Sequence, residues 1–232
     1  MAQGLLRRGR IGEQRLTKLP ELLVIRHAET DWNSHSMLQG HRDSPLTLNG
    51  VRQVLAVGET LAPEIATARP KHFWCSPLGR AQQTASILSG LWSLPFYKFD
   101  TVSALRERSY GVWEGMRQDE IAERRPEEHD AHLADPWNSR MEGAETKVEV
   151  YDRLSNWVRS LNHDVLHVVV THSGCLRILR GIYSGANRQQ IDEFREPQTA
   201  SFLLGNTERM IEPTEATLSR HDCEGLGRTV WI

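Results

Sequence analysis

Cysteine is scarce: Cys75, Cys175 and Cys223 are the three present, and they stand far apart. That spacing excludes a disulfide framework and a cysteine-based zinc pattern, and makes a reducing cytoplasm the expected compartment. Long apolar runs are missing, so no segment reads as a membrane span. Neither sign of charge dominates: the formal net charge is −2, which argues against nucleic acid or an anionic membrane as a partner. Internal repeats and low-complexity tracts are absent. Charge of one sign gathers only near the start, where Arg7, Arg8, Arg10, Arg15 and Lys18 face Glu13 alone. This stretch is poor in serine and lacks an apolar core, so residues 1–20 read as a mobile solvated extension rather than a targeting signal. What is left, 21–232, suffices for a single α/β domain with an insertion.

Two stretches organise that domain. Leu22-Leu23-Val24-Ile25 runs without a break into Arg26-His27, and Val168-Val169-Val170-Thr171 runs into His172-Ser173-Gly174. A short unbroken apolar run reads as a strand buried on both faces, as in a parallel sheet. Ligands of open α/β sheets bind beyond the carboxyl ends of the strands, where both histidines fall. Lys71 to Cys75 reads as another such strand. It leads through Ser76-Pro77-Leu78-Gly79 to Arg80 at the start of a helix, a third basic group aimed at one crevice.

The remaining pattern predicts a polar loop over Asp31–Asp43, then a helix capped by Thr47 and bracketed at its end by Pro63 and Pro70. A strand is expected over Phe96–Phe99. From about 101 to 143 the alternation of strand and helix stops, and the segment reads as a lid with one charged helix near Asp119–Arg125. A helix over Glu145–Asn162, a helix over Cys175–Tyr183 and two antiparallel edge strands at Ser201–Leu204 and Met210–Ile211 follow. The whole reads as a three-layer α/β/α fold with a mostly parallel sheet.

Arg26, His27, Arg80, His172 and the nearby Asn33 form a pocket suited to a dianion, because guanidinium forks match phosphate oxygens. Phosphoryl transfer requires mainly positioning and stabilisation of charge on the equatorial oxygens. One imidazole can accept the phosphoryl group covalently, and a carboxylic acid in the lid can protonate the departing alkoxide. Other histidines have ligand-like spacing, His129 with His132 and His163 with His167, but no third ligand is apparent. Trp113 and Trp137 fit either the substrate mouth or lid packing. Cys75 closes a buried strand and reads as inert core.

Arg26-His27-Ala28-Glu29-Thr30-x-Trp32-Asn33 resembles the Arg-His-Gly signature of the histidine phosphatase superfamily, which includes the cofactor-dependent phosphoglycerate mutases. Four further segments are similar to its motifs and come in its order: Gln39-Gly40 to Gly50, Ser76 to Ala85, Leu105 to Gly115, and Val170 to Gly174; Ala144-Glu145-Thr146 stands where Gly-Glu-Ser is usual. The resemblance implies His27 as the nucleophile that becomes phosphohistidine. It implies Arg26, Arg80 and His172 as phosphoryl ligands, with Asn33, Gln39, Gly40 and Ser173 at the substrate. Glu107 would be the proton donor and then the base that activates water. No metal and no organic cofactor is implied, and the partner would be a small phosphorylated metabolite; a homodimer is left open.

Two positions depart from the pattern. Ala28 replaces the usual glycine, which predicts a negative φ there and free space around its Cα. Thr199 stands where asparagine is common. Between mutase and phosphatase, Glu107-Arg108-x-Tyr110-Gly111 resembles the mutases. Gln118 in place of a mutase lysine, the early Arg124-Arg125 pair, Ser173-Gly174 and Trp113-Glu114-Gly115 resemble the phosphatase branch, and by family analogy they favour it. The alternatives are phosphoglycerate mutase and a non-catalytic adaptor that binds a phosphorylated ligand.

Overall fold

In the computed structural model, which describes residues 19–221, the first strand is the predicted one: β1, Glu21–Arg26. The basic stretch 1–18 and the tail 222–232 lie outside the described residues. Further strands are β2 (Lys71–Cys75), β3 (Phe99–Thr101), β4 (Leu166–Thr171), β5 (Ser201–Leu204) and β6 (Glu208–Ile211). They form one sheet in the order β3-β2-β4-β1-β5-β6. The first four are mutually parallel, while β5 runs antiparallel to β1 and β6 antiparallel to β5.

Alternation along the central strands builds two cores. Leu22 and Val24 face one side with Val169, against α6 (Lys147–Arg159), α7 (Ser173–Ser184) and α8 (Arg188–Glu193). Leu23 and Ile25 face the other with Val168 and Val170, against α2 (Leu48–Ala66) and α3 (Gly79–Leu91). Each of these strands therefore carries consecutive apolar residues at its centre, the reason its sequence shows no period of two. At roughly 25 cal/mol per Å² of apolar surface, each fully buried leucine contributes about 1.5–3 kcal/mol.

Several expectations are corrected. Residues 31–43 include a one-turn helix, α1 (Asp31–Ser34), because Thr30 and Asn33 cap each other reciprocally. Pro63 lies inside α2, which continues to Ala66. The third strand is not Phe96–Phe99: a 3-10 turn follows Pro95 over Phe96–Lys98, and β3 begins at Phe99. The segment between β3 and α6 holds two helices, α4 (Gln118–Arg124) and α5 (Pro126–Ala134), since Pro126 starts a second helix where it cannot continue the first. Only β6 is an edge strand on that side; β5 lies between β1 and β6. Helix α9 (Glu215–His221), at the end of the described residues, had no clear sequence signal.

Chain order matters less here than strand order. β4 enters the sheet between β1 and β2, pairing Arg26 with Thr171 and Cys75 with Val170. The residues just past three neighbouring strands (His27, Ser76 and His172) thus come together at one edge.

Candidate active site

The two histidines meet at the carboxyl ends of β1 and β4. The His27 backbone N–H donates to the Thr171 carbonyl at 2.8 Å, and the two imidazole centroids lie 5.1 Å apart. His27 is 3% exposed and His172 0%. Nδ1 of His27 lies 2.8 Å from the Ala28 carbonyl, which can only accept, so Nδ1 carries the proton and Nε2 keeps its lone pair. Arg80 Nε donates toward that lone pair at 3.3 Å. Burial, then the charges of Arg80 and Arg26, push the His27 pKa well below the ordinary imidazole range. Burial and Arg80 do the same to His172, whose Nε2 shares a 2.7 Å hydrogen bond with Ser76 Oγ. Both rings are therefore neutral near pH 7, as a nucleophilic imidazole must be.

The guanidiniums differ in how far they are committed. Arg80, 1% exposed, is fixed by its neighbours. Nη1 donates to the Arg42 carbonyl at 2.9 Å and Asp43 Oδ1 at 2.8 Å, and Nη2 donates to the Gly40 carbonyl at 2.8 Å. Gly40 has φ +54°, and a Cβ there would lie 2.3 Å from Glu114 Oε1, so only glycine presents this carbonyl. Arg26 is less satisfied: its buried Nε has no partner. Burial lowers its pKa, while Glu196 and Glu107 support its charge. His172 Nδ1 and Gln39 Oε1 are likewise buried without a partner. Buried polar atoms left unpaired are uncommon, and Arg26 Nε and His172 Nδ1 are two of them in this site. The N-terminus of α7, capped by His172, adds its dipole.

A carboxylate comes from the segment between β3 and α6. Glu107 Oε2 accepts from the Gly174 backbone N–H at 3.0 Å and Oε1 from that of Arg108 at 2.8 Å. A Cβ at Gly174 would lie 2.4 Å from Oε1, so glycine is what lets the carboxylate approach α7. The Glu107 carbonyl is held in turn by His41 Nε2 at 2.9 Å and Arg153 Nη2 at 3.2 Å. Arg153 also pairs with Glu145, which accepts from the Ser109 N–H. Beside Glu107, Ser173 and Gly174 opens a cavity of about 220 Å³, walled by the segment between β3 and α6 on one side and α6, α7 and α8 on the other.

A model of the histidine phosphatase superfamily, branch 1, matches residues 22–211. The chain belongs to the histidine phosphatase superfamily. An uncharacterized phosphatase, PhoE, of Bacillus subtilis is 30% identical over 80% of this chain and 86% of its own length. Phosphoserine phosphatase 1 of Hydrogenobacter thermophilus is 29% identical over 68% of this chain and 74% of its own. A putative alpha-ribazole-5'-P phosphatase from Escherichia coli has the same fold, with a TM-score of 0.73 at 23% identity over 84% of this chain and 97% of that one.

In this histidine phosphatase, His27, His172, Arg26, Arg80 and Glu107 share one site, and Gly40 enters it through its carbonyl. Asn33 and Gln39 stand one step away. Asn33 Oδ1 accepts from the Thr30 N–H and hydroxyl, and Gln39 Nε2 donates to Thr30 Oγ1 at 2.8 Å. Ser173 turns its hydroxyl to Glu196 at 2.9 Å. Ala28 has no positive φ, as predicted, but its methyl is not in free space: it is buried in the α2–α3 core. Glu196 and Gln198 had no sequence signal, because they lie in an irregular stretch without periodicity. The Glu196 side chain is fully buried and pairs with Arg177; Gln198 Nε2 donates to the His27 carbonyl at 2.7 Å, beside Thr199. Trp113 and Trp137 are both buried, and Trp113 also lines the cavity beside Glu107. His132 bonds Ser139, and His167 is held between Trp74 Nε1 and the Asn162 carbonyl. Cys75 is buried, its thiol pKa pushed up to about 12.

Proposed function

We propose that this enzyme hydrolyses a small phosphomonoester, without a metal ion, through a phosphohistidine on His27. The observation that carries the reading is the 2.8 Å contact of His27 Nδ1 with the Ala28 carbonyl, which commits Nδ1–H and leaves Nε2 as an unprotonated nucleophile beside Arg80. In the first step Nε2 attacks phosphorus, the N–P bond forms and the P–O bond to the alcohol breaks. Glu107 delivers a proton to the departing oxygen. In the second step water attacks phosphorus, Glu107 takes its proton, and the P–N bond breaks to release inorganic phosphate and free imidazole. Arg26, Arg80 and His172 carry the equatorial oxygens, with the α7 N-terminus behind them. Asn33, Gln39 and Ser173 shape the same pocket through their partners. The substrate is a small phosphorylated metabolite, and a cytoplasmic location fits the reduced cysteines.

The test is phosphate release from p-nitrophenyl phosphate in EDTA, by wild type and His27→Ala. Release by wild type alone is expected; equal release by both would remove His27 as nucleophile, and release only on adding a metal would remove the metal-free step. One observation favours a mutase instead: Arg108 and Tyr110, in the pattern that resembles the mutases, line the cavity. Stimulation by 2,3-bisphosphoglycerate would decide for that reading.

A further inference from the structure

We infer that Glu196 is a positioning residue which, through Arg26, limits how tightly the site holds its anions, so that product phosphate can leave. The inference rests on the phosphomonoester reading, which makes inorganic phosphate the product.

Glu196 lies in the irregular stretch between α8 and β5, and its side chain is fully buried. A buried carboxylate is costly to desolvate and ordinarily has charged partners. Here they come from one face of α7. Ser173, the residue after His172, donates its hydroxyl to Glu196 Oε1 at 2.9 Å, and Arg177 Nε donates to the same oxygen at 3.0 Å. Arg180 Nη1 stands 3.6 Å from Oε2, within ion-pair distance but beyond a hydrogen bond, and neither of these two buried atoms has a hydrogen-bond partner. Spacings of four and three residues put Ser173, Arg177 and Arg180 on the same helical face. Two residues beyond Glu196, Gln198 Nε2 donates to the His27 carbonyl at 2.7 Å. One short stretch therefore holds the chain at both histidines.

The carboxylate also belongs to the charges of the phosphoryl pocket. Of the residues around Arg26, Glu196 supports its charge most and Glu107 next, while Arg177 and Arg80 oppose it. Arg80 has a carboxylate of its own in Asp43 at 2.8 Å, and Arg180 has Glu208 at 2.7 Å. A phosphoryl dianion entering the pocket takes over the neutralisation of Arg26 and meets the negative charge of Glu196. Like charges in a site shielded from water repel more strongly than in solvent. The repulsion acts on a phosphate ester and on free phosphate alike. Removing it strengthens ground-state and product binding together, which lowers KM without raising kcat. Where product release limits turnover, the gain in affinity slows the enzyme.

Isothermal titration calorimetry with inorganic phosphate measures the affinity apart from turnover. Glu196→Gln keeps the size and an acceptor oxygen for Ser173, and it should bind phosphate at least about fivefold more tightly than wild type. Its KM for p-nitrophenyl phosphate should fall in parallel, with no rise in kcat. Equal or weaker phosphate binding overturns the inference, because a carboxylate with a merely structural role would loosen the start of α7 when lost and weaken the site. Glu196→Asp keeps the charge and should not tighten phosphate; tightening as large as in Glu196→Gln would make packing rather than charge the cause, and overturns it too. Arg177 is only partly buried, so Arg177→Gln serves where the buried variants do not fold. It leaves Glu196 less neutralised beside Arg26, and phosphate should bind at least about fivefold more weakly; an unchanged affinity overturns the inference. Hydrolysis of p-nitrophenyl phosphate by wild type reports on the underlying reading separately. Its absence with the phosphate shifts intact removes the hydrolytic reading and keeps Glu196 as the residue that sets anion affinity.

Discussion

Gly174 and Glu107 illustrate how much chemistry rests on one missing methyl group. Gly174→Ala places a Cβ 2.4 Å from Glu107 Oε1, and the carboxylate must move away from α7. The expected outcome is a fall of at least tenfold in kcat/KM for alkyl phosphates, whose alkoxides need a proton, with little change for p-nitrophenyl phosphate. A leaving-group series checks this, and a uniform loss would contradict the acid role. The imidazoles make a second prediction. Burial and the neighbouring guanidiniums lower both pKa values, so His27 and His172 should remain neutral below pH 6.5, where a free imidazole begins to charge. Titration of their ring signals by NMR tests this; an inflection at or above 6.5 for either would contradict the burial argument.

At the level of the element, α2 shows how a helix start is tied to the loop after the first histidine. Thr47 Oγ1 accepts from the Gly50 N–H at 2.9 Å and donates to Glu29 Oε1 at 2.6 Å, two residues beyond His27. Thr47→Ala should therefore destabilise the fold by about 1 kcal/mol, an ordinary N-cap loss. Denaturant midpoints at constant slope would measure it, and an unchanged midpoint would mean that the cap is replaced by water without loss. β2 and β4 meet at a different polar contact: Trp74 Nε1–H donates to His167 Nδ1 at 2.9 Å while the Asn162 carbonyl takes the other ring nitrogen. The indole can only donate, so protonating Nδ1 sets two N–H groups against each other.

For the whole molecule, these buried imidazoles fix the direction of the acid response. His27, His167 and His172 have folded pKa values below the ordinary value of about 6.5, so between those values and 6.5 the unfolded chain binds more protons. Their contribution to stability is complete above about pH 6.5 and is lost as pH falls through the folded values. The midpoint of thermal unfolding should drop from pH 7.5 to pH 5, and His167→Gln should reduce that drop. A midpoint independent of pH over this range would contradict the depressed histidine values, because the shifted carboxylates Glu145 and Glu149 act in the same direction.

What the linear order of residues determined was local. Unbroken aliphatic runs ending in Arg26-His27 and Thr171-His172 announce doubly buried strands and place two histidines at their ends, because hydrophobicity and strand length are properties of neighbours in sequence. Motif order carried Arg80 and Glu107 in the same way. The tertiary structure decided everything that depends on strand order and close approach. Insertion of β4 between β1 and β2 makes neighbours of His27, Ser76 and His172, which are 96 residues apart at the Ser76–His172 hydrogen bond. Glu196 and Gln198, from a stretch with no period, reach the site only because the chain crosses it on the way to β5. The burial of Arg108 was equally hidden, since a lone arginine in a charged segment reads as solvated until packing removes its water. Periodicity records which face a side chain takes; whether its charge finds a partner is settled only when distant segments pack.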